Sequence, residues 1–226
     1  MNISEFVASS RYLTDCLWQN MTWDRHLCGL MKFGPHAYGP FYDRILSPLR
    51  EKDIVMVEIG ISGGWSLMLW DLYFKHPNTQ IIGIDPLYEK PKDGFNQNET
   101  NKATRRIKMY NDLRAEYSSR VEGNLIDAYT PWCVDQFEDA SLDIVLDDGS
   151  HYAKDKLFVV EEYWSKVKSG GWLIIEDYHA NADQEVLEAA LNTERVSTSI
   201  VFQGLVEHEK VFPVPTPEGL ICLQKE

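Results

Sequence analysis

A single α/β domain built on a doubly wound, mostly parallel sheet with helices on both faces is what this sequence predicts, on three observations. First, short apolar runs at residues 54–57, 80–84, 120–121, 142–146, 172–175, 199–206 and 219–224 alternate with segments of helical spacing and read as seven strands. Second, the first run breaks at once into glycine-rich turn chemistry, in the stretch IVMVEIGISGGWS at 54–66. Third, acids stand at the ends of four runs, as Glu58, Asp85, the pair Asp147 and Asp148, and the pair Glu176 and Asp177. Strand ends on that side are where open α/β sheets bind ligands.

Taken in order, residues 3–31 carry Leu13, Leu17, Leu27 and Leu30 with Trp18 and Trp23 among polar positions, which reads as helical. A helical segment outside the sheet order must cover something. Residues 1–50 are therefore expected to form an N-terminal helical cap over the core, over a ligand-binding mouth or against a second subunit of a homo-oligomer. Gly34, Pro35, Gly39 and Pro40 make a loop, and a short helix is expected over 41–49. After the 54–57 strand, Gly60, Gly63 and Gly64 lead into a helix over 67–74, with Trp65, Leu69 and Leu72 set to face the sheet. Glycines there let main-chain amides approach a ligand at a helix N-terminus. The 80–84 strand ends in Asp85, and the core then runs on through residue 226. Residues 86–118 form an insertion more polar and longer than a plain crossover, with Pro86, Pro91 and Gly94 before helical spacing over 103–117; it is either tolerant surface or a lid. Further on, Gly170 and Gly171 make a turn before the 172–175 strand, and a helix is expected over 184–195. The last two strands flank a proline-rich turn at 212–219.

Composition excludes several function classes. The 226 residues suit one domain, without repeats or low-complexity tracts. A formal net charge of -13 gives nothing for counterion release from a polyanion, so a nucleic-acid partner is not expected. No apolar run is long enough to span a bilayer and no signal-type N-terminus is present, so no membrane partner is expected either. Cys16, Cys28, Cys133 and Cys222 lie far apart without metal-type spacing, which points to free thiols in a reducing compartment, the cytoplasm. The sequons at Asn20 and Asn98 then carry no glycan.

The chemistry concentrates in three stretches. The GISGG loop lacks the third glycine of the dinucleotide pattern and has Glu58 just ahead of Gly60. A pyrophosphate would be repelled by that acid, whereas a ligand carrying ammonium and sulfonium charges would be favoured. Asp85, roughly 20 residues beyond the loop, stands where doubly wound folds place an acid on ribose hydroxyls. SLDIVLDDGSHY at 141–152 delivers Asp147, Asp148 and His151 to the same edge, and SGGWLIIEDYH at 169–179 delivers Glu176 and Asp177. If those strands adjoin, Asp148, Glu176 and Asp177 converge. Like charges raise each other's pKa, and a divalent cation relieves the conflict; hard oxygen ligands favour Mg²⁺, Mn²⁺ or Ca²⁺.

The 54–66 stretch with Asp85 resembles the first motif of class I S-adenosylmethionine-dependent methyltransferases. DDGSH, the Glu176–Asp177 pair and GGWSLMLWDLYF are similar, over about residues 32–180, to the metal-dependent macrocin-type and rhamnosyl sugar O-methyltransferases of the cephalosporin-cluster group. The resemblance implies a Rossmann-like fold with an antiparallel last strand, S-adenosylmethionine as cofactor, and Mg²⁺ or Mn²⁺. Its implied cofactor contacts are Glu58, Gly60, Ile61, Ser62, Gly63, Ser66, Asp85 and Asp147, with Gly123, Asn124 and Leu125 at the adenine and Tyr38 closing over the cofactor. Asn124 stands where the family more often has Asp, and an amide can still bond an adenine edge. It further implies Asp148, Glu176 and Asp177 as metal ligands, with Asp148 and His151 in the catalytic group and His151 as general base. His179 is then a rim residue. The acceptor implied is a sugar hydroxyl, with a small phenol or catechol as the alternative. A nicotinamide-dependent oxidoreductase is disfavoured by Glu58 and the missing glycine, a binding module without activity by the complete acid set, and a metal-dependent hydrolase by the otherwise purposeless glycine loop.

Overall fold

The computed structural model describes residues 38–61, 64–86, 120–206 and 216–226. The chain runs through helix α1 (Gly39–Leu46), β1 (Val55–Ile59), α2 (Trp65–Tyr73), β2 (Gln80–Ile84), β3 (Val121–Asn124), α3 (Pro131–Val134), β4 (Leu142–Asp147), α4 (Ala153–Phe158), β5 (Val167–Tyr178), α5 (Gln184–Asn192), β6 (Val196–Val206) and β7 (Thr216–Lys225). The strands form one seven-stranded sheet in the order β3-β2-β1-β4-β5-β7-β6. β1 pairs in parallel with β2 and β4, and the parallel pairing extends to β3 on one side and β5 on the other. β7 runs antiparallel to both β5 and β6. The expected fold, including the reversed last strand, is what forms.

Alternation along the central strands explains why helices cover both faces. Met56, Ile144 and Ile174 point into a core shared with Tyr42, Ile45, Trp70 and Phe74 from α1 and α2. Their neighbours Val57, Val145, Leu173 and Ile175 point the other way, against Val159, Tyr163, Val186 and Ala190. A strand buried on both faces reads as a continuous apolar run, which is why β1, β2 and β4 were legible. Chain order reverses between β1 and β4, so the connections that leave their carboxyl ends run to opposite faces of the sheet and leave the crevice in which such folds bind ligands.

Three expectations need correction. Leu72 is 40% exposed, because α2 buries the face that carries Ser66, Leu69, Trp70 and Tyr73 instead; Ser66 and Trp70 are drawn inward by a buried acid described below. The fifth strand extends through Glu176 and Asp177 rather than ending before them. Gly170 and Gly171 lie within it, at a break in register where β4 passes from Leu142 to Ile144 while β5 passes from Val167 to Trp172; Gly170 takes φ +77° there. Helix α4, which continues through a π turn (Val159–Tyr163) and a 3₁₀ turn (Trp164–Lys166), was not anticipated. The helical readings over 3–31 and 103–117, and the 86–118 insertion as a whole, lie outside the described residues apart from Pro86. Among the described residues no helix is long and apolar enough to cross a membrane. Cys133 and Cys222 are buried free thiols, and burial pushes both pKa values up, so neither is poised as a nucleophile.

Candidate functional site

The crevice is built first by main-chain hydrogen bonds. Gly60 N donates to Ile84 O at 2.8 Å and Asp148 N donates to Ile59 O at 2.9 Å, which ties the ends of β1, β2 and β4 together. The Asp85 carboxylate accepts from Ile61 N at 2.9 Å, and Asp85 N donates to Asn124 O at 3.1 Å. Asp85 is thereby anchored over the glycine loop, with Gly123 and Asn124 on the adjacent strand in register with Gly83 and Ile84. Leu125 is exposed just beyond. Ser62 and Gly63 lie outside the described residues. Gly60 has φ +92°, and a Cβ there would meet the main-chain oxygen of Asp148 at 2.1 Å. We expect Gly60→Ala to lower the melting temperature and weaken ligand binding in the crevice, since the strained backbone alone costs on the order of 1–3 kcal/mol. Thermal melts and titration calorimetry on the variant check this.

Glu58 and Ser66, expected as cofactor contacts, are both buried and bonded to each other. Glu58 is fully buried and accepts from Ser66 Oγ at 2.8 Å and Trp70 Nε1 at 3.1 Å. Charge-assisted bonds from α2 offset the desolvation of the carboxylate. Glu58 therefore braces the loop between β1 and α2 from behind.

The DDGSH loop is held in a similar way. Tyr129 donates to Asp147 Oδ1 at 2.8 Å and accepts from Ser150 N at 2.9 Å, while Ser150 Oγ donates to Asp155 at 2.6 Å. Asp147 is buried, and burial raises its pKa to about 6 against the opposing pull of the Tyr129 hydrogen bond and of nearby His151. The same burial pushes the Tyr129 hydroxyl far above its ordinary range. Gly149 has no room for a side chain, since a Cβ would lie 2.2 Å from the Tyr129 hydroxyl. Asp147, expected as a cofactor contact, is buried and anchors the loop through Tyr129.

Beyond it, Asp148, His151 and Asp177 each bring a ligand atom to within 4.8 Å of the others. His151 Nδ1 lies 3.2 Å from Asp177 Oδ2, and the imidazole is 45% exposed. Both His151 (φ +59°) and Asp177 (φ +52°) adopt left-handed backbone, which non-glycine residues take up mainly where surrounding structure imposes it. Glu176, expected to complete a triad of acids, falls outside this grouping. Its side chain is buried beside Cys222 and accepts a hydrogen bond from Tyr42. The strand is irregular here: its pairing with β7 shifts register between Ile175 and Tyr178, and Asp177 takes left-handed backbone, which separates the two side chains. The Tyr42 pKa is raised by burial first and then by the Glu176 charge. Tyr38, expected to close over the cofactor, lies beside the same cluster. It is fully buried, and its hydroxyl lies 3.2 Å from Asp177 Oδ1 and 2.9 Å from Gly219 O, so it supports the acid cluster.

Sequence reasoning missed Tyr42, Tyr129, Lys156 and Asp183. Tyr42 had a signal, being one helical turn beyond Tyr38 on the face that also carries Ile45. Tyr129 and Lys156 reach partners from separate elements and had none. The two carboxylates of the cluster are hard oxygen donors of the kind that suits Mg²⁺ or Mn²⁺, and their formal charge matches a dication.

These features define a doubly wound α/β domain with an acid-lined crevice at its switch point. The chain belongs to the methyltransferase domain family, which matches residues 57–178. It is 26% identical over 157 residues to an 8-demethyl-8-alpha-L-rhamnosyl tetracenomycin-C 2'-O-methyltransferase from Streptomyces olivaceus, covering 66% of this chain and 35% of that protein. It is 28% identical over 154 residues to the mycinamicin VI 2''-O-methyltransferase of Micromonospora griseorubida, covering 65% and 33%. The chain thus spans about a third of the length of these curated relatives. Among solved structures, the MycE methyltransferase of the mycinamycin biosynthetic pathway, in complex with Mg and SAH, superposes with a TM-score of 0.58 at 18% identity, covering 100% of this chain and 54% of that one. At that identity the match speaks for the fold.

Proposed function

We propose that this protein is an S-adenosylmethionine-dependent, divalent-metal-dependent O-methyltransferase acting on a sugar hydroxyl. The observation that carries the reading is the Asp85 carboxylate fixed on the Ile61 amide at one side of the switch point, with Asp148, His151 and Asp177 gathered at the other. The relatives that the chain matches methylate rhamnosyl, olivosyl and mycinamicin hydroxyls by their names, which supports a carbohydrate acceptor. When bound, S-adenosylmethionine supplies an electrophilic methyl group, and Mg²⁺ or Mn²⁺ supplies Lewis acidity and a template for two acceptor oxygens.

The chain's own residues do the rest. Asp85 would accept from ribose hydroxyls, and the Gly60–Ile61 backbone would pack against the nucleoside. Asp148 and Asp177 would hold the cation. His151 is suited to take the hydroxyl proton, because an imidazole that donates Nδ1–H to Asp177 keeps its lone pair on Nε2, on a half-exposed ring. Asp177 would orient that ring, as a carboxylate does for a catalytic base.

Incubation with labelled S-adenosylmethionine and a panel of rhamnosides, other glycosides and catechols tests the acceptor. Label in a glycoside is the expected result, and label confined to catechols would overturn the sugar reading. Calorimetry should show one S-adenosylhomocysteine per chain and little affinity for NAD. Asp85→Ala should weaken that binding by about 1.5–3 kcal/mol, the loss of hydrogen bonds to a charged acceptor, and the freed Ile61 amide adds to it.

A further inference from the structure

Close to the cluster lies a buried ion pair that the mechanism above does not use. Lys156 and Asp183 are each 1% exposed, with Nζ and Oδ2 2.6 Å apart. Desolvating two charges offsets much of their attraction, so such a pair is weak evidence of stabilisation and its purpose is better sought in what it holds. Lys156 also donates to the main-chain oxygen of Asp177. Asp183 Oδ2 also accepts from His179 N at 2.8 Å. Asp183 stands at the N-cap of α5, where an aspartate ordinarily accepts from the first-turn amides, yet its side chain makes no capping bond. It is turned inward instead.

The pair therefore grips the chain on both sides of Tyr178, at the carbonyl of residue 177 and the amide of residue 179. Asp177 is the residue with left-handed backbone whose carboxylate joins the cluster. Lys156 belongs to α4, the helix that follows the DDGSH loop, so it also links the side of the cluster that carries Asp148 and His151 to the side that carries Asp177. We propose that Lys156 and Asp183 are positioning residues which clamp residues 177–179 in the conformation that presents the Asp177 carboxylate, and so set the affinity of the cluster for a divalent cation. The proposal rests on the metal reading given above. Neither side chain is a ligand in it.

The test is Mn²⁺ binding, followed by electron paramagnetic resonance of the free ion, alongside S-adenosylhomocysteine affinity and circular-dichroism melts. Asp183→Asn keeps an acceptor for the His179 amide while removing the charge, and Lys156→Met with Asp183→Asn removes both charges. The double variant is expected to bind Mn²⁺ roughly 10- to 100-fold more weakly, as for other groups that support metal ligands, with nucleoside affinity unchanged. Asp183→Asn alone should fall between it and the parent. A purely structural pair would instead lower the melting temperature and leave Mn²⁺ affinity within about threefold, below the range expected of a supporting group, and that result overturns the proposal. If the double variant does not melt cooperatively, Asp183→Asn decides by the same comparison. A parent protein that binds no Mn²⁺ would overturn the metal reading and this proposal together, an outcome distinct from tight binding in both parent and variant.

Discussion

Replacing His151 is expected to depress methyl transfer by roughly 10²- to 10⁴-fold, the usual contribution of a positioned general base. The alcohol of a sugar is a poor nucleophile until its proton leaves, and His151 is the imidazole that the DDGSH loop carries to the mouth of the crevice. The φ of +59° complicates a simple alanine variant, since alanine in left-handed backbone adds strain of its own. Asparagine tolerates that region better, so His151→Asn serves as the parallel variant. The same experiment separates two roles that the geometry brings close together, because His151 belongs to the metal-type grouping and also contacts Asp177. A base lost from His151→Asn lowers turnover while Mn²⁺ affinity holds. A ligand lost from it lowers both in step. An unimpaired rate in both variants would shift the proton acceptor to Asp147, Asp148 or His179.

How much of this was legible beforehand follows from what kind of interaction set each feature. Strands β1, β2 and β4 were readable because strands buried on both faces leave unbroken apolar runs, and Asp85, Asp148, His151 and Asp177 were readable because they stand at strand ends beside turn residues. The orientation of side chains at those ends was not. Glu176 and Asp177 look equivalent in sequence, but β5 continues through them with a register shift against β7 and left-handed backbone at Asp177, which leaves Glu176 on Tyr42 and Asp177 in the crevice. Glu58 looked like a ligand-facing acid because it precedes the loop; Ser66 and Trp70, which donate to it, sit on α2 and serve as its partners only once the helix has packed. Tyr38 and Lys156 act through contacts with Asp177 across 139 and 21 residues of chain, and a single sequence carries no trace of such pairings.

Removal of divalent metal is expected to abolish activity, with Mg²⁺ or Mn²⁺ restoring it, and the three acids once grouped together are expected to part company in the same assay. Asp148 and Asp177 bring two carboxylates within 4.8 Å, an arrangement in which a dication offsets their repulsion. Asp148→Asn and Asp177→Asn should each lose metal and turnover together, because a neutral amide is a far poorer ligand for a hard cation. S-adenosylhomocysteine affinity should survive both, since Asp85 and the glycine loop belong to β1 and β2. Glu176→Gln should behave differently. Its carboxylate is buried with Tyr42 outside the cluster, so the variant is expected to lower the melting temperature by weakening a charge-assisted hydrogen bond while Mn²⁺ still binds. Equal loss of Mn²⁺ in all three variants would restore Glu176 to the ligand set and mean that the end of β5 rearranges when metal enters. Full activity in excess EDTA would remove the metal from the reaction, leaving Asp177 as the orienting partner of His151 and the methyl transfer to rest on that pair alone.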